Sequence, residues 1–289
     1  MKKITLIAPS SPENGLTPDT IAILKNKFEG WGYRLHLGMH VMDEDRYLAG
    51  SDENRAKDIM DAFEDDETDV IMTVRGGYGS PRLLDKLDYE SIRRHKKTFF
   101  AFSDGTALQM ALYACAGVEG YTGMQGNFLW QKVSDTLIKS FERVLKGEKL
   151  NWQGLSGMVG GKTEGIMLGG NLVVLESLIG TPYFPSMTGK ILLLEEVNEE
   201  PYKVDRMLAH LRLAGVFDEV SGVVLGDFSS CVSSNPDTGN VDVVLADYFN
   251  GLNVPVVHQV PYGHRNGQSV FPVGKRVLLN ADDGIIKEI

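Results

Sequence analysis

The stretch that decides the fold runs Thr98-Phe99-Phe100-Ala101-Phe102-Ser103-Asp104-Gly105-Thr106-Ala107-Leu108. Residues 98–102 read as a short buried strand, and the apolar spacing across residues 107–116 reads as a helix. The two meet at Ser103, with Ala101 and Gly105 two residues away on either side. A small-x-Ser-x-small pattern at a strand-to-helix turn is a relaxed form of the nucleophile elbow. Small neighbours let the turn be tight. A tight turn lifts the serine oxygen off the backbone and aims helix N–H groups at a developing oxyanion. Taken alone, the same serine is at least as well explained as a helix cap.

Working outward, the same rhythm repeats. Residues 4–8 form a strand candidate. A helix over 18–29 follows, with Thr17 as cap and Pro18 at its first position. Residues 34–41 alternate and predict a second strand. Residues 51–63 are helical behind the cap Ser51, and 70–74 form a buried strand. Beyond the elbow, Ser134 caps a helix over 135–145. This β-α-β-α order predicts an α/β fold with a Rossmann-like, mainly parallel sheet covered by helices on both faces. Glycines then concentrate between 147 and 163, the composition of a linker. That places one domain at 1–146 and a second at 164–289. In the second, strands at 166–168, 190–194, 222–225 and 254–259 alternate with helices at 172–178, 202–213 and 241–248. A hairpin closes the chain, pairing 276–280 with 284–288 through Asp282-Asp283-Gly284.

Bulk properties narrow the function classes. A chain of 289 residues with 43% hydrophobic content buries a sizeable core. Its net charge of −10 argues against nucleic acid as the main partner. Cys115 and Cys231 lie outside any CxxC or Cys/His ligand spacing, so no zinc site is expected. The apolar run after Lys2-Lys3 stops at Pro9, too short for a signal peptide, and no stretch approaches the roughly 20 apolar residues of a membrane span. A cytoplasmic protein with no membrane partner is the expectation.

Three further stretches carry possible chemistry, each just past a predicted strand. In Val74-Arg75-Gly76-Gly77-Tyr78-Gly79 the glycines allow a backbone to approach a ligand and supply N–H donors. A plain turn explains them equally well. Arg75 can hold a substrate carboxylate or pair at the surface. In Leu194-Glu195-Glu196-Val197-Asn198-Glu199-Glu200, acids stand where α/β folds place functional groups, though a solvated loop has the same composition. In Pro261-Tyr262-Gly263-His264, a histidine sits in a glycine-bounded loop and is a candidate base near neutral pH. Together they follow the order serine, acid, histidine, one of the chain orders in which a catalytic triad occurs. His264 would take the proton of Ser103, and a glutamate would hold the imidazole. The N–H groups of Asp104 and of Gly76 or Gly77 would receive the oxyanion.

The stretches at 74–84 (VRGGYGSPRLL), 102–108 (FSDGTAL), 168–183 (LGGNLVVLESLIGTPY), 194–208 (LEEVNEEPYKVDRML) and 262–264 (YGH) resemble, in order, those of bacterial LD-carboxypeptidases. This is the muramoyltetrapeptide carboxypeptidase family, which also includes the microcin C self-immunity peptidases. The resemblance implies a smaller, β-rich α/β C-terminal domain and a Ser-Glu-His triad between the domains. It assigns the nucleophile to Ser103, the acid to Glu195 and the base to His264. It places the oxyanion donors on Asp104 and the Gly76–Gly77 pair. Arg75, Tyr78 and Arg82 are candidates for touching substrate. The implied activity is release of terminal D-alanine from peptidoglycan-derived tetrapeptides during cell-wall recycling. It needs no cofactor and no metal, and a homodimer is the usual assembly. Two alternatives are a microcin-C-like hydrolase of aminoacyl-nucleotide amides and a non-catalytic muropeptide-binding protein. Gly105 departs from the larger apolar residue often found there. Met124-Gln125-Gly126 stands in place of a His-Gly-Pro-like turn.

Overall fold

The computed structural model describes residues 1–233, 235, 239–265 and 268–289. Strands β1 (Lys2–Ile7), β2 (Tyr33–Leu37), β3 (Val70–Thr73), β4 (Thr98–Ala101) and β5 (Gly120–Thr122) pair in parallel in the order β5-β4-β3-β1-β2. Helices α1 (Pro18–Gly30), α2 (Asp52–Glu64), α3 (Tyr89–Arg94), α4 (Thr106–Ala116) and α5 (Asp135–Leu145) accompany them. Thr17, Ser51 and Ser134 cap α1, α2 and α5 with their hydroxyls. The two-residue period of a strand sends neighbouring side chains to opposite faces. Phe99 and Ala101 join a core with Ile59 and Phe63 of α2 and Leu108 and Ala111 of α4. Phe100 and Phe102 join another with Phe28 of α1 and Phe141 of α5. Both faces of the sheet are therefore covered, as parallel sheets require.

The second sheet contains β6 (Asn151–Trp152), β7 (Ser156–Val159), β8 (Lys162–Asn171), β9 (Ile191–Val197), β10 (Gly222–Ser229) and β11 (Val256–His258). Strands β8 to β11 run parallel at its centre. After β12 (Phe271–Val273), the hairpin β13 (Arg276–Asn280) and β14 (Ile285–Glu288) pairs antiparallel onto β8. Helices α6 (Leu172–Glu176), α7 (Pro201–Leu213), α8 (Val216–Glu219) and α9 (Val241–Phe249) connect these strands.

Several boundaries differ from the sequence expectation. The 147–163 stretch holds β6 and β7, which pair with β14 and β11 at the two edges of the second sheet. Its glycines bend the chain between strands; Gly147, Gly154 and Gly161 all have positive φ. The second strand ends at Leu37, because the chain then turns and Gly38 donates to the carbonyl of Leu6. Strand β12 crosses back and pairs antiparallel with β5 of the first sheet. Such a pairing joins segments about 150 residues apart, and local periodicity holds no trace of it.

The sheets meet where the end of β8 abuts the start of α4. The N–H of Asn171 donates to Thr106 Oγ1 at 3.1 Å. Gly170 has φ +151°, and a Cβ there would lie 2.4 Å from Thr106 Oγ1. A side chain would force the two sheets apart and strain the backbone. Gly170→Ala should therefore lower unfolding stability by about 2 kcal/mol, measurable by urea denaturation.

Candidate active site

The C-terminal ends of parallel strands converge on one edge, where α/β folds place their sites. Phe102 is extended, and Ser103 then switches to the left-handed region with φ +58°. A non-glycine residue is held there only when its surroundings demand it. Two glycines make that demand. A Cβ on Gly105 would lie 2.6 Å from the Cβ of Ala101, so the turn closes only without one. A Cβ on Gly76 would lie 3.0 Å from Ser103 Cβ and 3.3 Å from Ser103 Oγ. The Gly76 backbone thus packs directly against the serine. Gly77 has φ +110° and sits against Ser11, whose hydroxyl accepts from the Tyr78 N–H.

The side chain of Asp104 locks this turn. Its Oδ2 accepts from Ser10 Oγ at 2.5 Å and from the Ser80 N–H at 2.8 Å. The Ser80 hydroxyl donates to the Asp104 carbonyl at 2.6 Å. One buried carboxylate therefore ties together the loops after β1, β3 and β4.

The second sheet contributes the acid and the histidine. Glu195, near the end of β9, has no solvent exposure. Its Oε2 lies 2.8 Å from His264 Nδ1, and its Oε1 accepts from Asn171 Nδ2 at 3.2 Å. The imidazole packs on Phe102, the residue before the serine, with ring centroids 4.6 Å apart. Glu196 points elsewhere. It accepts from Asn171 Nδ2, from its neighbour's N–H at Val197, and from the Val173 N–H in the first turn of α6. Of the two adjacent glutamates, only Glu195 meets the histidine. Tyr262, fully buried, exchanges a hydrogen bond with Thr122 of β5 at 2.9 Å and so fastens the histidine loop to the first sheet.

Burial by itself would lower the His264 pKa, but the hydrogen bond and charge of Glu195, with Glu196 and Asp227, outweigh it and raise it. Burial pushes the Glu196 carboxyl up, against the pull of its three donors. Among the described residues no group of three or more His, Cys, Asp or Glu side chains is placed to hold a metal ion. Among the described residues no helix is long and apolar enough to cross a membrane.

The remaining sequence candidates fall at various distances from this chemistry. Arg82 donates through Nε and Nη2 to Asp52, which also takes the buried Arg55. Arg75 donates to the Pro12 carbonyl and lies 4.0 Å from Glu13. Tyr78 is half-exposed and tilts against Tyr47 at 5.8 Å. Sequence reading missed Asn171, the Asp104 carboxylate, Ser10 and Ser80. Asn171 did carry a signal, because an asparagine before a helix is an N-cap; it caps α6 by accepting from the Val174 N–H. The others are tertiary partners from distant loops. Two surface recesses, of about 600 and 500 Å³, contain none of Ser103, Glu195 or His264.

An elbow serine, a buried acid and a histidine on an α/β frame define a serine-type hydrolase class. The family models for the LD-carboxypeptidase N-terminal and C-terminal domains match residues 4–123 and 164–279. The chain belongs to the LD-carboxypeptidase family, and is a serine-type carboxypeptidase by that membership. A probable murein peptide carboxypeptidase of Bacillus subtilis is 30% identical over 284 residues, covering 96% of this chain and 88% of the relative. The murein tetrapeptide carboxypeptidase of Pseudomonas aeruginosa is 29% identical over 292 residues, covering 97% and 94%. The crystal structure of muramoyltetrapeptide carboxypeptidase from Oxalobacter formigenes superposes with a TM-score of 0.88 at 29% identity, covering 99% of this chain and 97% of that one. An MccF-like protein from Bacillus anthracis superposes at 0.89 with 25% identity, covering 100% and 96%.

The raised His264 pKa has a defined sign. The protonated imidazole is favoured by folding, so the Glu195–His264 pair stabilises fully below the ordinary histidine range. That contribution is lost as pH rises through the raised value. Replacing Glu195 by Gln removes the charge and leaves the burial. The imidazole pKa of Glu195→Gln should then fall from its raised value, as followed by NMR titration of the His264 ring protons.

Proposed function

We propose that the protein is an LD-carboxypeptidase that hydrolyses the amide joining an L-centre to terminal D-alanine in peptidoglycan-derived tetrapeptides. The observation that carries this reading is the 2.8 Å contact between His264 Nδ1 and a fully buried Glu195. A carboxylate at Nδ1 fixes the proton there and leaves Nε2 as the base. The imidazole lies beside the strained elbow through its packing on Phe102. In this mechanism Ser103 Oγ attacks the scissile carbonyl as His264 takes its proton. Glu195 stabilises the imidazolium and stays ionised. The tetrahedral oxyanion is received by the N–H of Asp104 with that of Gly76 or Gly77. The close packing of Gly76 on Ser103 supports this placement. His264 then passes the proton to the leaving nitrogen, the C–N bond breaks and D-alanine departs. Water next attacks the acyl-serine; its proton goes through His264 back to Ser103 and its hydroxyl to the peptide. The murein-peptide relatives support the choice of substrate.

The test is mass spectrometry of the protein incubated with L-Ala-D-Glu-L-Lys-D-Ala and with its diaminopimelate counterpart. The wild type should remove one D-alanine. Ser103→Ala should lower that rate at least about 10³-fold. Survival of both peptides with the wild type would overturn the reading, and sugar-linked tetrapeptides and aminoacyl-nucleotide conjugates would be the next substrates.

A further inference from the structure

Two strands that run evenly side by side match one residue to one. Strand β10 does so as far as Leu225, opposite Leu194 of β9, and resumes with Phe228 opposite Glu196. Two residues, Gly226 and Asp227, therefore stand opposite the single Glu195. A bulge of this kind breaks the pairing and re-aims a side chain. Here the freed backbone turns to the histidine loop. The Asp227 N–H donates to the Tyr262 carbonyl at 2.7 Å, and the Val260 N–H donates to the Leu225 carbonyl at 3.1 Å. A Cβ on Gly226 would lie 2.4 Å from the Tyr262 oxygen, and one on Gly263 would lie 2.9 Å from the Asp227 Cβ. Gly263 also has φ +138°, a conformation that side chains rarely allow. The histidine loop is thus laid directly on the bulge.

The side chain of Asp227 holds the same loop from its other end. It pairs with Arg265, the residue after His264, and accepts from the Ser229 hydroxyl. Asp227 is buried, whereas the Arg265 side chain is 68% exposed. An ion pair with one partner so exposed adds little stability, and burying the carboxylate has a cost. Burial pushes the Asp227 carboxyl up, while Arg265 pulls it back. Stability alone therefore does not call for a carboxylate at this position. The charged groups around the imidazole are Glu195 and Glu196 of β9, Asp227 of β10 and Arg265 of its own loop. Lys132, from the stretch before α5, lines the recess onto which His264 opens. Phe102 carries no charge, and burial keeps the Tyr262 phenol neutral.

We propose that Asp227 is a positioning residue, which seats the histidine loop through the β10 bulge and, with Arg265, sets the charge that His264 feels. The inference rests on His264 acting as the base and adds a second carboxylate to its support. Glu195 orients the ring at Nδ1. Asp227 holds the chain on both sides of it, at Tyr262 and at Arg265. A loosened seat lets the imidazole drift from the serine proton, which lowers kcat more than it changes KM.

The experiment uses two variants of the full chain. Asp227→Asn keeps the shape and the backbone N–H and removes the charge. Arg265→Gln keeps the charge and removes its partner. His264 is titrated by NMR in each, and kcat and KM are measured on the tetrapeptide. The imidazole pKa should fall by about half a unit in Asp227→Asn and rise in Arg265→Gln. The kcat of Asp227→Asn should fall about tenfold with KM little changed. A loop that is merely loosened would shift both variants in the same direction. That result, or wild-type pKa and kcat in Asp227→Asn, would overturn the proposal. If Asp227→Asn does not fold, the exposed Arg265→Gln decides, and an unmoved imidazole pKa there sinks the idea. If the wild type leaves the peptide uncut, the carboxypeptidase reading fails, and the two titrations still decide the role of Asp227.

Discussion

The centre of this molecule is organised by the need to satisfy a carboxylate that has been taken entirely out of water. Glu195 has no exposed surface, and among the described residues no lysine or arginine pairs with it. An isolated buried charge of that kind is costly unless hydrogen-bonded and paired. Its partners are an imidazole and one side-chain amide, and each is tied to further structure. His264 rides on a loop fastened through Tyr262 to Thr122 of the other sheet. Asn171 also holds Glu196, caps α6 and reaches Thr106 of α4 with its backbone. Satisfying one charge thereby couples two sheets and fixes the imidazole beside the serine turn.

The serine turn answers a different constraint, which is steric. A residue at φ +58° is strained, and the surrounding loops overdetermine it. Gly105 and Gly76 remove the side chains that would block it, while the Asp104 carboxylate collects donors from two neighbouring loops. The departure at Gly105 from a larger residue therefore has a local reason: Ala101 leaves no space for even one extra carbon. Rigidity on the first sheet and electrostatic coupling on the second meet at Phe102, whose ring carries the imidazole.

The relation to two kinds of neighbour follows from this division of labour. The frame that presents serine, glutamate and histidine is shared in fold with a muramoyltetrapeptide carboxypeptidase and with an MccF-like protein. Substrate choice lies in what surrounds that frame.

The sequence by itself determined the alternation of strands and helices, the caps Thr17, Ser51 and Ser134, the serine turn and the family. These are local patterns of period, size and hydrogen-bonding capacity, and they read without tertiary information. Residue spacing left open which glutamate meets the histidine, because Glu195 and Glu196 are adjacent and chemically identical, and only the family resemblance names Glu195. Only the pleat of β9, which turns consecutive side chains to opposite faces, separates them. The return of β12 to the first sheet and the clamp on Asp104 were likewise decided by folding. Each joins residues far apart in the chain, and a contact of that kind is written in no single stretch of it.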